Sequence, residues 1–514
     1  MNTASMLGRS ALSIVLALFT TRIVLAQLGA VDFGIFGAVG ATAAFSMILS
    51  NALTAAAMRH MSYDLGRGDL RSLREHFNSA LLVYAALAAL IVLLGWVLAD
   101  PVVRLLSVPE EREGVARLAV VLSAGSLAML SLEAPFQSIV LVHQKHHLYA
   151  ATGVLNAAAR LAAAACIGLI PADRLVVWTG LLVGVQALSA AALAAAAMAR
   201  LPDARPDPRL FRVRKIADLF AFGSWSVLGD AAWRFRMKGG QILLNVLFGP
   251  AVNASYEVGS RVAGYQRSLV GPIRKSVLPV VVSSHGAGRS ESTRDLALVT
   301  GKYLFIASAL VLVPVALETG AVLNLWLGAE QVNQLEAAEG LIALLAVWLL
   351  YANLGQGFVY VNRAEGRLAG FTLWSTLIDA SSLVVAWALV TFVWSDPLAV
   401  PAATCIAIAA QLIFQVTHAG RIVGVGLGQW ARRTVLPSHI AVGLGFSAAL
   451  AAQALTPVGL ARLLAVFAAM SGVTLAAAWL FALQPWERRH YARMLSTARN
   501  RLARRGRPAG SSTP

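Results

Sequence analysis

A guanidinium or ammonium group can hold a phosphate or carboxylate, and a membrane-embedded carboxylate can carry a proton or a cation. This sequence sets both kinds of group inside stretches that are otherwise apolar. The densest is Ala231–Gln241, AAWRFRMKGGQ, preceded by Asp230, in which Arg234, Arg236 and Lys238 alternate with Trp233, Phe235 and Met237. Each Arg or Lys near a bilayer centre costs about 2.5–3.5 kcal/mol on insertion scales, so three facing lipid would cost about 9 kcal/mol. Such a cluster persists only against water, a counter-charge or an anionic ligand.

At helical spacing Asp230, Arg234 and Lys238 share one face, continued by Gln241 and Asn245. Glu257 and Arg261 stand four residues apart in the next apolar stretch, with Tyr265 and Ser268 below them. Seven basic groups lie within apolar stretches (Arg22, Arg160, Arg234, Arg236, Lys238, Arg261, Arg267) against four acids, Glu133, Asp230, Glu257 and Asp379. Local ion pairs, Asp230 with Arg234 and Glu257 with Arg261, are one reading of the spacing. They leave Arg22, Lys238, Arg160 and Arg267 unaccounted for, so the interior stays net positive. That sign suits a phosphate or carboxylate ligand, which arginine binds bidentately, and not a cationic drug. Arg22, Arg234, Lys238 and Arg261 are the candidate substrate-binding residues, Arg22 and Lys238 the sharper two. Asp230, Glu257 and Asp379 are the candidate ion-coupling acids.

The elements that carry these groups follow from composition. Of 514 residues 58% are hydrophobic and 13% charged, with mean hydropathy +0.70, which marks an all-α polytopic membrane protein. Fourteen stretches are long enough to span: 8–28, 33–58, 79–99, 115–142, 148–171, 175–199, 218–248, 251–282, 300–327, 338–361, 367–394, 397–419, 435–455 and 461–484. The net charge of +17 is not a nucleic-acid footprint. With a cytoplasmic N-terminus, thirty of the 42 Lys and Arg fall in cytoplasmic segments and five in external ones (Arg104, Arg112, Arg117, Arg174, Arg462), the rest lying within spans. That bias is the positive-inside rule and sets both termini on the cytoplasmic side of the membrane. Cys166 and Cys405, each alone in an apolar stretch, suggest neither disulfide nor metal. The first span reads as a retained anchor, since Arg22 interrupts it and the chain runs on into the next.

Leu201–Lys215 (LPDARPDPRLFRVRK) is the long polar, Pro-rich connection of the interior and divides two lobes. LGAVDFGIFGAVG from Leu28 aligns with FGPAVNASYEVGS from Phe248 at an offset of 220. FQSIVLVHQKHHLYAATGVLNAAAR from Phe136 aligns with GQGFVYVNRAEGRLAGFTLWSTLID from Gly355 at an offset of 219. Six helices per half make the repeats parallel, around a central cavity open alternately to either side. The expected organisation is a first lobe over 1–200, a linker over 201–217, a second lobe over 218–425, two added helices over 426–484 and a basic tail over 485–514. The tail carries eight arginines with Trp486, Tyr491, Leu495 and Leu502 at helical spacing, which suits anionic headgroups.

Other motifs carry less. The loop holding His143, Lys145, His146 and His147 lacks the carboxylates and spacing of a metal site, and GVGLG from Gly424 has no strand before it. Gly34, Gly37 and Gly40 suit close helix packing. No catalytic triad, Walker motif or metal set is present, which excludes an enzyme or built-in ATPase and implies no cofactor.

The opening stretch LGRSALSIVLALFTTRIVLAQLGAVDFGIFGAVGATAAF, its basic loop MRHMSYDLGRGDLRSLR, and LLNVLFGPAVNASYEVGSRVAGYQRSL resemble the polysaccharide flippases of the multidrug/oligosaccharidyl-lipid/polysaccharide exporter superfamily. The resemblance covers the first twelve helices. It implies movement of a polyprenyl-pyrophosphate-linked oligosaccharide across the inner membrane for O-antigen, capsule or exopolysaccharide synthesis. Its expected surroundings are membrane lipids, glycosyltransferases and a polysaccharide polymerase, with no nucleic acid. By position, basic residues that engage pyrophosphate in related lipid II flippases correspond to Arg22, Arg234 and Arg261, and Asp32 resembles the acid that opens the second helix. The sequence departs from that pattern in placing Asp230 and Glu257 beside the arginines. A cation-coupled multidrug or metabolite exporter of the same superfamily, using Asp230, Glu257 or Asp379, stays open, as does a non-transporting membrane scaffold of an envelope-glycan complex.

Overall fold

The computed structural model describes residues 2–43, 47–221, 224–366, 368–484 and 487–488; for some of these, 224–237 included, it describes the backbone alone. The described chain is helical throughout, without a strand. Among the described residues ten helices are long and apolar enough to cross a bilayer, and Ala338–Leu354 with Gln356–Glu365, bent by 43°, makes an eleventh. Two helices run through a turn between spans: Asn2–Ala43, counted once among the ten and continued by Met47–Gly66, and Ser224–Gly286, which is not among them. Each is broken at one glycine, Gly29 at φ 75° and Gly249 at φ 83°. A left-handed φ is cheap only for glycine, so one residue turns the chain where the sequence suggests a short loop. Divided there, the chain makes the fourteen segments its hydropathy predicts.

The repeat is written in backbone breaks. Gly29 and Gly249 lie 220 positions apart, as do the left-handed Gly68 and Gly288 that close the next turn. Pro135, inside the Glu113–Val142 helix, falls one position from the break at Gly355 in the 219-residue register of that region. Residues that alter helix geometry have kept their register while the apolar faces between them have drifted.

The two long helices pack against each other and join the lobes. Gly34 makes this possible, since a Cβ there would stand 1.8 Å from the carbonyl oxygen of Pro250. Asn253 Nδ2 donates to the Gly34 carbonyl at 2.8 Å, Ser107 Oγ to that of Val246 at 3.4 Å, and Asn245 Nδ2 to that of Leu106. These bonds gather at the end of the bundle that carries the Gly29 and Gly249 turns. An apolar cluster beneath them joins Val24, Phe33 and Ala164 of the first lobe to Ala254, Val258 and Ile342 of the second.

The linker does not hang free between the lobes. A short amphipathic helix, Val213–Ala221, buries Leu219 against the first lobe, and Lys215 Nζ donates to Ser72 Oγ at 2.7 Å. The last two spans, Leu436–Leu455 and Leu460–Ala477, pack on the Ser290–Leu317 helix of the second lobe. They are pinned at both ends. Arg462 Nη2 meets Glu318 Oε2 at 2.9 Å, and the buried Lys302 Nζ meets Glu487 Oε2 at 2.8 Å.

Candidate functional site

Of the residues singled out in the sequence, Lys238, Glu257 and Arg261 are drawn into one hydrogen-bonded net. Lys238 Nζ donates to Gln241 Oε1 (2.9 Å), and Gln241 Nε2 donates to Glu257 Oε2 (2.9 Å). Arg261 Nε and Nη2 both reach Glu257 Oε1 at 3.1 Å, which is the local pair that the spacing allows. Arg261 Nη1 then donates across the lobe boundary to Thr21 Oγ1 at 2.9 Å, and its guanidinium lies 5.2 Å from the Phe33 ring centroid. Glu257 therefore acts as a shared counter-ion rather than a free carboxylate. Gly37 gives the net its room: a Cβ there would come within 2.9 Å of Gln241 Nε2 and 3.3 Å of Glu257 Cβ.

Arg22 occupies different surroundings. It is exposed and makes no hydrogen bond or ion pair among the described residues. It lines a cavity of about 450 Å³ whose walls are almost wholly apolar, with Phe19, Tyr265, Leu269, Trp326 and Phe467. Trp326 Nε1 donates to the Leu18 carbonyl (2.9 Å) and stacks edge-on with Tyr265, which ties the cavity wall across the two lobes. Thr21 and Arg22 are neighbours on one helical turn. The first looks into the polar net and the second into the apolar groove.

Asp379 is buried, 7% exposed, and is already engaged by a neighbour. Its helix, Leu368–Phe392, reaches the second long helix at Gly239, where Leu383 would lie 2.4 Å from an added Cβ. The side chains of Asp230 and Arg234, like that of Arg236, lie outside the described residues.

Asp32 is committed elsewhere. Arg112 bridges it to Asp173, with Nε to Asp32 Oδ1 at 2.9 Å and Nη1 to Asp173 Oδ2 at 2.6 Å. Asp173 also caps the Arg174–Arg200 helix through the amides of Leu175 and Val176. Burial alone would lift the Asp173 carboxyl, but the bonds and charge of Arg112 with those two amides hold it below the ordinary aspartate range.

Several site residues gave no sign in the sequence. Thr21, Asn156 and Gln186 are uncharged and raise no hydropathy alarm. Polar side chains midway along apolar spans were the available signal. Arg160, noted for its charge alone, sits among two of them: Nε donates to Asn156 Oδ1 (2.8 Å) and Nη2 to Gln186 Oε1 (3.5 Å). Among the described residues, no group of three His, Cys, Asp or Glu side chains is placed to hold a metal ion.

The MatE family model matches residues 8–146. No curated protein matches the chain at a significant level. Solved structures share its fold at low identity. An inward-facing multidrug resistance MATE family transporter of the MOP superfamily superposes with a TM-score of 0.71 at 14% identity, over 80% of this chain and 94% of its own. The lipid II flippase MurJ, in an inward closed conformation, gives 0.70 at 13% identity, over 92% and 97%. An outward-facing multidrug resistance MATE family transporter gives 0.59 at 13%, over 82% and 96%. The fold is the one that these transporters share.

Proposed function

We propose that the protein is a flippase that carries a polyprenyl-pyrophosphate-linked oligosaccharide across the bacterial inner membrane, for O-antigen, capsule or exopolysaccharide synthesis. The observation that carries this reading is the division at Thr21 and Arg22. A cationic polar net and an apolar groove open on either side of one helical turn, at the seam between the lobes. An amphiphile with an anionic head and a long apolar tail fits both compartments at once, because each half meets its own solvent. A small hydrophilic anion would leave the groove idle, and a cationic drug would meet Lys238, Arg261 and Arg22 with the wrong sign.

Arg22, Lys238 and Arg261, with Arg234, hold the pyrophosphate while the polyprenyl chain stays in the groove and the surrounding lipid. The sugar extends into water between the lobes. With both termini cytoplasmic, the glycine-turn end is the external one, and the contacts of Gly34, Asn245 and Asn253 form the closed external gate. Parting them while the linker ends approach exchanges access. The membrane potential supplies about 2.3 kcal/mol per charge per 100 mV to such a step. Glycosyltransferases and a polysaccharide polymerase act before and after it.

The test is reconstitution into liposomes with a fluorescent short-chain polyprenyl pyrophosphate sugar. Protein-dependent movement between leaflets is expected, with loss of most of it in the R234A/K238A double variant. Transport of cationic dyes with no movement of the lipid-linked sugar would overturn the proposal in favour of a drug exporter.

A further inference from the structure

Arg160 belongs to the His146–Cys166 helix of the first lobe, next to Ala159, which packs on the apolar cluster joining the lobes. Its two protein partners are amide oxygens. Asn156 Oδ1 takes Nε, Gln186 Oε1 takes Nη2, and Asn156 Nδ2 also reaches Gln186 Oε1 at 3.3 Å. On its other side Gln186 donates from Nε2 to Glu133 Oε2 at 2.9 Å. Gln186 and Glu133 are both buried, 4% and 7% exposed. The amide thus stands between a guanidinium and a carboxylate in one network, with its oxygen toward the arginine and its nitrogen toward the glutamate.

Two neutral acceptors do not compensate a guanidinium within a membrane, where an unpaired charge is costly. The remaining nitrogen, Nη1, has no partner among the described residues. Arg261 of the other lobe is near enough for its charge to bear on Arg160. Unlike Arg160, Arg261 has Glu257 as its own counter-ion.

We infer that Arg160 is a further first-lobe ligand, beside Arg22, for a phosphate or pyrophosphate group at the seam between the lobes, and that Gln186 and Asn156 hold its fork while keeping Glu133 from neutralising it. The inference rests on the reading of this seam as an anion site, and its ligand chemistry is shared by a lipid pyrophosphate and a free one. Gln186 is a positioning residue, and its test is electrostatic. Gln186→Glu keeps the size of the side chain but supplies Arg160 with an internal counter-ion, which competes with the ligand.

The experiment measures binding of inorganic pyrophosphate and of farnesyl pyrophosphate to the purified full chain in detergent, with thermal unfolding followed in parallel. For R160Q and for Q186E the Kd for both probes, read on folded protein, should rise on the order of tenfold or more, the loss expected for one charge-assisted pair; the unfolding temperature should change little in R160Q and fall in Q186E, which loses the bond to Glu133. R160K, which keeps the charge without the fork, should fall between wild type and R160Q. Folded Q186E or R160Q protein that binds pyrophosphate as wild type does would overturn the inference; if R160Q does not fold, Q186E decides. Farnesyl pyrophosphate binding no tighter than inorganic pyrophosphate, with the Arg160 dependence intact, would instead sink the groove and the lipid-linked substrate while leaving Arg160 its role.

Discussion

The two long helices, Asn2–Ala43 and Ser224–Gly286, share a turn at the same register but differ in what they bring to the seam. At the 220-residue offset Gly37 faces Glu257 in the alignment, Thr21 faces Gln241, and Gly34 faces Ala254. The first helix is small where the second is large and polar. The second therefore lays its own net, Lys238–Gln241–Glu257–Arg261, into space that the first vacates, and Thr21 receives its last bond. The charges do not repeat: Arg22 corresponds to Ile242, and Lys238 to Leu18. A duplicated frame has been kept while one copy gives its cations a shared carboxylate and the other leaves Arg22 without a partner among the described residues.

Removing the shared carboxylate of the second copy breaks this comparison hardest. Glu257→Gln leaves Arg261 and Lys238 without a carboxylate, and breaking a buried pair on one side costs about 3–5 kcal/mol. Because Arg261 keeps 26% of its side chain accessible, the lower end of that range is expected, seen as a lowered unfolding temperature of the purified protein. Adding Arg261→Gln should restore most of the stability while leaving lipid-linked sugar transport impaired. An unchanged unfolding temperature in the single variant would mean that Glu257 is not the counter-ion that the geometry makes it.

Next in size is the seam itself. Gly34→Ala brings a methyl within 1.8 Å of the Pro250 carbonyl oxygen, a backbone atom that cannot rotate away. Overpacking of this kind costs about 1–3 kcal/mol, and here it acts on the contact that closes the glycine-turn end. The variant should unfold at lower temperature, and a cysteine pair across that end should cross-link more slowly than in the parent. Wild-type cross-linking would place the gate elsewhere.

Much of the frame was legible in the sequence, and the reason is physical. A span that turns into the next at a single residue takes a left-handed conformation there, so Gly29 and Gly249 stand in register and carry the alignment that surrounds them. Charge in an apolar stretch is equally visible, so Lys238, Glu257 and Arg261 stood out by spacing alone. What the spacing left open was which arginine keeps its counter-ion at home. That depends on the crossing of helices more than two hundred positions apart, which sets Gly37 against Glu257 and turns Arg22 outward to the groove. The Glu133–Gln186–Arg160 network draws on three separate spans through uncharged amides, and no periodicity announces it. The docking of the Val213–Ala221 helix on the first lobe was hidden in the same way, since its amphipathic face fits a membrane surface as well as a neighbouring span.

The mildest perturbation of the fold is the sharpest probe of the unpaired copy. Arg22 is exposed and has no described partner, so Arg22→Gln should shift stability by no more than about 0.5 kcal/mol, the range of an ordinary surface change. Its cost should fall on translocation, on the order of tenfold or more, because the anionic head loses the cation that stands where groove and net meet. Arg22→Lys should keep part of the activity, since an ammonium supplies the charge without the bidentate fork. Leaflet exchange of the lipid-linked sugar in liposomes, read beside the unfolding temperature, separates the possibilities. Full translocation by Arg22→Gln would make the unpaired arginine idle and dissolve the contrast between the two helices. A large loss of stability would show that Arg22 has a structural partner and that the first copy, too, gives its cation a counter-charge.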